Sequence, residues 1–233
     1  WHANNPWTGG SSNDKTITSL TDLTQPGRPG HDQWMRQLDD IASGLQELED
    51  AGVVVIWRPL HEMNGGWFWW WGNEDKEGFK KLWQHMFNYF TYQKGLDNLL
   101  WAWSPNYAYD QWTADLLEYY PGSAYVDIVG MDKYRGLSEQ PLNLNGGGTY
   151  DKLVSTGKPV ALREFGPTRA SSWPDRPNWD YAQLIRTIRE QYPRIVMFQA
   201  WEWHWQIPKH DNATGLMHDS WTIDRDELPT WSR

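Results

Sequence analysis

Two glutamates stand where carboxylates can do chemistry. Glu62 lies in RPLHEMNGGWFWWWG (residues 58–72), just past the apolar run Val53, Val54, Val55, Ile56; Glu164 lies in LREFGP (residues 162–167), at the end of the run Val160 to Glu164. Such runs read as buried strands. A βα repeat takes roughly 30 residues or more, so the distance from 62 to 164 is that of three repeats. One carboxylate as proton donor and acceptor and a second as nucleophile, both at strand ends, is what glycoside hydrolysis requires. The five aromatics from Trp67 to Trp71 would be costly to leave in water, and a flat ligand with polar edges and apolar faces suits them. An apolar wall beside Glu62 disfavours its ionisation and prepares it to give a proton. Glu164 must stay ionised, and the phenol of Tyr134 could donate a hydrogen bond to it.

Each residue also has a plainer reading. A glutamate near a strand end often sits in a salt bridge or caps a helix, Asp132 suits a helix cap, and His61 suits a core position with its nitrogens satisfied. Alternation along an extended segment sends some of Trp69 to Trp71 into the core. Rival chemistries fail on spacing. His61-Glu62-Met63-Asn64-Gly65 begins like the zinc motif HExxH but has Gly65 where the second ligand belongs. His2, His31, His85, His204, His210 and His218 show no paired ligand spacing, and no GxSxG elbow is present. Gly146 to Gly148 lacks the spacing of a dinucleotide or phosphate loop. No metal and no cofactor are expected.

The elements that must position these residues alternate. Residues 1–31 form a long loop rich in Gly, Ser, Thr, Asn and Pro. Trp34, Leu38, Ile41, Leu45 and Leu48 mark a helix that stops near Gly52, before the strand Val53 to Ile56. Phe79, Leu82, Trp83, Met86, Phe87 and Phe90 mark a second helix, and Leu99 to Trp103 a strand leading into Ser104-Pro105-Asn106. A short helix near Thr113 to Tyr119 precedes the strand Val126 to Met131, and Thr149 to Thr156 precedes Val160 to Glu164. Tyr181, Leu184, Ile185 and Ile188 mark a last helix before the strand Ile195 to Trp201. Five strands alternating with helices imply a parallel sheet. Functional-looking residues at every strand end favour a (β/α)8 barrel, whose active sites form on that face.

Composition narrows the partners. The chain has 233 residues and a net charge of −9, which opposes nucleic acid and anionic membranes. No apolar run reaches the roughly 20 residues of a membrane span. There are no cysteines, so thiol chemistry is absent, and 19 tryptophans, many beside loop-forming residues, suit stacking on sugar rings. The length suits a single domain of residues 1–233.

WHANNP (1–6), WRPLHEMNGGWFWW (57–70), WAWSPN (101–106), VDIVGMDKY (126–134) and LREFGP (162–167) together resemble glycoside hydrolase family 26, the β-mannanase family, in order along nearly the whole chain. The resemblance implies a barrel with its catalytic glutamates on strands four and seven, Glu62 as acid/base and Glu164 as nucleophile. It places His61, Trp67, Asp132, Tyr134 and Trp201 around the cleavage point, Trp201 as the floor of the glycone site, with His2 binding substrate as well. If Val53 to Ile56 is strand four, the chain holds strands four to eight of an N-terminally incomplete barrel. The expected activity is retaining hydrolysis of β-1,4-mannan, galactomannan or glucomannan by a secreted or cell-surface monomer, with carboxyl groups about 5–5.5 Å apart. The alternatives are a β-1,3-1,4-glucanase, a β-1,3-xylanase or a non-catalytic carbohydrate-binding protein.

Overall fold

The computed structural model describes residues 1–107, 115–135, 142–168, 179–202 and 205–229. The chain divides into two compact units, Trp1–Val129 and Gly130–Arg233.

In the first unit, residues 1–30 are irregular apart from a 3-10 turn, Leu20–Thr24, and α1 (His31–Asp50) follows. The strand β1 is only Val55–Trp57, and Val53 and Val54 lie outside it, 43% and 61% exposed. The expectation of a buried strand from Val53 to Ile56 is corrected here: the strand starts only at Val55, and it stands at the edge of the sheet. α2 (Lys76–Asn88) is capped by Asp75, whose side chain accepts from Gly78 N, and continues as a π turn, Tyr89–Gln93. Its Trp83, Phe87 and the following Phe90 pack on Trp101, at 5.8, 5.0 and 6.1 Å between ring centroids, and Phe90 reaches Trp57 at 5.9 Å. β2 (Leu99–Trp103) pairs in parallel with β1, Ile56 opposite Leu100 and Trp57 opposite Trp101. Ile56 and Leu100 therefore share the opposite face, 37% and 39% exposed. β3 (Ile128–Arg135) begins in this unit, with Ile128 and Val129 opposite Ala102 and Trp103. The short helix expected near residues 113–119 is a 3-10 turn at Leu116–Tyr119, capped by Asp115; its first two residues lie outside the described residues.

The second unit holds the rest of β3, then α3 (Thr149–Ser155), β4 (Val160–Thr168), α4 (Tyr181–Gln191), β5 (Ile195–Ala200) and α5 (Ala213–Met217). A side chain on Gly130 would lie 2.8 Å from the Ala161 carbonyl, so glycine lets β3 approach β4. β4 and β5 are parallel, with Leu162 opposite Phe198 and Phe165 opposite Ala200. Within each unit, neighbours in the sheet are neighbours in sequence. Strands alternating with helices in sequence order are the pattern of part of a (β/α)8 barrel; periodicity predicted the alternation, and the strand-end residues and the family resemblance predicted the partial barrel. Among the described residues no helix is long and apolar enough to cross a membrane.

Candidate active site

Glu62 sits in the first unit, past the end of β1, where Glu62 N donates to the Ser104 carbonyl at 2.8 Å and so ties this loop to the end of β2. Leu60 and Glu62, on either side of His61, both have left-handed backbones, with φ of 48° and 52°. Each costs roughly 1–3 kcal/mol in a residue with a side chain, and such strain gathers at functional sites. What the strain achieves is visible at the carboxyl group. Trp67 Nε1 donates to Oε2 at 2.7 Å and Asn106 Nδ2 donates to Oε1 at 2.8 Å. The residue is 8% exposed, and its carboxyl group is held at both oxygens.

The donors are themselves positioned. Asn106 N donates to Asn64 Oδ1 at 2.8 Å, and Asn64 Nδ2 donates to the Asn106 carbonyl at 3.0 Å. The Trp67 indole occupies the space a side chain at Gly65 would need, 2.0 Å from where a Cβ would lie. The N-terminal loop grips the same segment, with Asn13 Nδ2 donating to the Trp67 carbonyl at 3.3 Å and Lys15 Nζ to the Gly66 carbonyl at 3.1 Å. Along the aromatic run, Trp69 and Trp70 are core residues whose indoles donate to the Ala3 and His61 carbonyls at 2.9 and 2.7 Å. Trp67 and Trp71 stay partly exposed. His2 is exposed and lies 4.7 Å from His61, ring to ring, and 5.4 Å from Phe68. His61 is buried, and its Nδ1 has no hydrogen-bond partner among the described residues. Burial first, then the charges of Arg58 and His2, holds its pKa well below the usual histidine range, so the ring is neutral.

Glu164 sits in the second unit, within β4. Tyr134, from β3, donates its hydroxyl to Glu164 Oε1 at 2.7 Å. The Tyr134 ring meets Trp205 edge-on at 5.1 Å, and Trp205 lies where a side chain on Gly166 would be, 2.2 Å from the Cβ position. Asp132 is fully buried in β3, two residues from Tyr134 and so on the same face. Trp201 follows β5, its N–H donating to the Phe165 carbonyl at 2.8 Å. Trp201, with Phe198, Gln206, Ile207 and Pro208, lines a cavity of about 660 Å³.

The first unit thus gathers His2, His61, Glu62 and Trp67, and the second holds Asp132, Tyr134 and Glu164, with Trp201 beside its own cavity. Sequence reasoning named Asn106 only among the functional-looking residues at a strand end, without a role, and did not single out Asn64 and Trp205. Asn106 carried a signal, since it ends the WAWSPN stretch past a strand; the other two carried none that is local.

Glycosyl hydrolase family 26 is the family whose model matches this chain, over residues 1–227. A mannan endo-1,4-beta-mannosidase of Bacillus subtilis is 40% identical over 198 residues, covering 82% of this chain and 51% of that protein. Mannan endo-1,4-beta-mannosidase A and B of Caldalkalibacillus mannanilyticus is 37% identical over 238 residues, covering 97% and 44%. The chain spans about half the length of the curated relatives it matches. Among solved structures, Bacillus subtilis mannanase man26 superposes with a TM-score of 0.82 at 35% identity, over 97% of this chain and 65% of the other. The β-mannanase from a symbiotic protist of the termite Reticulitermes speratus, complexed with a gluco-manno-oligosaccharide, superposes with 0.73 at 28% identity, over 99% and 67%. The family match runs through both units and takes in both Glu62 and Glu164: this chain belongs to glycosyl hydrolase family 26.

Proposed function

We propose that this chain, as one catalytic domain, hydrolyses β-1,4-mannan backbones internally and with retention of configuration. The observation that carries this reading is Glu62, held at both carboxyl oxygens on a strained backbone just past a strand. Glu164 attacks the anomeric carbon while Glu62 gives its proton to the departing oxygen, leaving a covalent glycosyl-enzyme. Glu62 then takes a proton from water, which attacks and releases the sugar with its original configuration. Tyr134 orients the nucleophile through its hydrogen bond. His2, His61, Trp67, Asp132 and Trp201 contact the sugars; neutral His61 serves as a hydrogen-bonding group without charge. A polymeric substrate too large to enter a cell suits a secreted or surface-held enzyme, and the chain acts as a monomer.

Mannan as substrate is supported by the names of the relatives at 40% and 37% identity. β-Glucan is the comparison arm, because Endoglucanase H of Acetivibrio thermocellus is 25% identical over 168 residues. Reducing-sugar release from mannan, glucomannan, barley β-glucan and β-1,3-xylan tests the choice. We expect mannan or glucomannan to be cut fastest; faster release from β-glucan or xylan overturns the substrate, and release from none of them favours a binding protein.

A further inference from the structure

We propose that Asn106 is a two-way positioning residue for Glu62: its amide nitrogen donates to the carboxylate and, turned over, its amide oxygen accepts from the carboxylic acid. The proposal rests on the acid/base reading of Glu62 given above. Double displacement uses Glu62 in both protonation states, as an acid in the first step and a base in the second. A carboxylate accepts hydrogen bonds at both oxygens, whereas a carboxylic acid must also donate one. The group that holds Glu62 in both states therefore has to accept as well as donate.

Trp67 is not that group. An indole N–H only donates, and it holds Oε2 at 2.7 Å. Between the two oxygens, Oε1 is the better seat for the proton, since Oε2 as the carbonyl oxygen of the acid still accepts from Trp67. Facing Oε1 at 2.8 Å is Asn106 Nδ2, part of an amide whose two ends are nearly equal in size and opposite in hydrogen-bonding sense. Asn106 Oδ1 is buried and has no hydrogen-bond partner among the described residues. A half-turn about Cβ–Cγ therefore breaks no bond to Oδ1 and brings it opposite Oε1–H. The backbone of Asn106 does not have to follow, because Asn64 holds its N–H and its carbonyl at 2.8 and 3.0 Å. The proton stays on Glu62 Oε1 throughout; the amide only exchanges the end it presents, until a leaving oxygen displaces it.

The test reads titration and not turnover, so it stands apart from the hydrolysis assays that test the function. In the full 27.4 kDa chain, the Glu62 carboxyl carbon is followed by NMR with labelled glutamate and assigned by its loss in Glu62→Gln. The Asn106 side-chain NH2 pair is assigned by its loss in Asn106→Leu. We expect the NH2 signals to move with pH at the midpoint of Glu62, and to stay still over that range in Glu62→Gln. Removing a partner of both protonation states leaves the midpoint nearly in place, so Asn106→Leu should shift it by less than about half a unit. Trp67→Phe removes a donor only, and should raise the midpoint by about 1–2 units, the size of a lost hydrogen bond to a charged group. Asn106→Ser, which keeps a group that both donates and accepts, should stay with the parent. The proposal is overturned if the NH2 signals ignore the Glu62 titration, or if Asn106→Leu raises the midpoint as far as Trp67→Phe. Should the leucine variant fail to fold, the serine variant serves for assignment and the parent's NH2 titration decides alone.

Discussion

The two glutamates are built by opposite means. Glu164 lies inside β4, between Leu162 and Phe165, which stand opposite Phe198 and Ala200 of β5. Its backbone is not among the left-handed ones, and Tyr134 of the adjacent strand β3 holds its carboxylate. Glu62 lies beyond its strand, on a loop with two left-handed residues, and is held by a tryptophan and an asparagine from separate loop segments. A strand delivers a side chain at no conformational cost and with little freedom. A loop reaches a position that no strand offers, and then depends on strain and on every donor that locks it. The strand-borne carboxylate should therefore be robust to changes around it, and the loop-borne one fragile.

The largest effects come from removing the carboxylates. Glu164→Ala should abolish hydrolysis of polysaccharide and of activated aryl glycosides alike, since no glycosyl-enzyme forms. Glu62→Ala should slow polysaccharide hydrolysis by ~10²–10⁴-fold but still release a burst of phenolate from an aryl glycoside, because that leaving group departs without a proton. Slow turnover should follow the burst, and azide should speed it. Equal loss on both substrates in both variants would erase the assigned difference in roles.

An intermediate effect sharpens the contrast between loop and strand. Gly65→Ala and Gly166→Ala each drive a Cβ into an indole, that of Trp67 or of Trp205. Trp67 is partly exposed, so the added Cβ should push its indole outward, and Gly65→Ala should cost activity, about tenfold for the lost bond to Glu62, with little change in melting temperature. Trp205 is 8% exposed, against Tyr134. Gly166→Ala should therefore cost stability first, about 1–3 kcal/mol for overpacking. Thermal melts and kcat/KM on the same preparations test this, and the reverse pattern would contradict it.

The smallest effect is a pH dependence carried by two histidines of the first unit. Burial lowers the pKa of His61 in the folded chain, and burial together with His31 lowers that of His85. The unfolded chain then binds more protons than the folded one, so stability rises with pH below the ordinary histidine value of about 6.5. It is fully present above that value and is lost as the pH falls towards the folded-state values. The melting temperature should drop between about pH 7 and pH 5, and His85→Gln should flatten that drop, on the order of 2–4 °C. A variant curve parallel to the parent's would show that other groups set the acid limb.

Much of this was legible in the residues. The helical stripes at Trp34 to Leu48, Phe79 to Phe90 and Tyr181 to Ile188, and the apolar runs after them, placed α1, α2, α4 and the strands they feed, because periodicity is local and each stripe has to face a core. The same count put both glutamates near the ends of their strands, but β4 runs on to Thr168, so Glu164 lies inside its strand, and β1 stops at Trp57, so Glu62 lies on the loop beyond. Reading failed where exposure depends on what covers a face. Val53 and Val54 have every mark of a buried strand and are exposed. Along Trp67 to Trp71 the alternation foretold that some rings are core, but a 3-10 turn at Trp69–Trp71, not strand alternation, chose Trp69 and Trp70.

What the sequence by itself determined is the order of elements and the residue types available at each strand end, since both follow from the properties of neighbouring residues. Only the tertiary structure decided which donor meets which carboxylate. Asn106 reaches Glu62 across 44 positions and Tyr134 reaches Glu164 across 30. Distances of that kind are set by how strands lie side by side, and no local pattern encodes them. The left-handed backbones of Leu60 and Glu62 belong to the same class: nothing in either residue favours that conformation, and it persists only because the bonds made by the surrounding loops outweigh its cost.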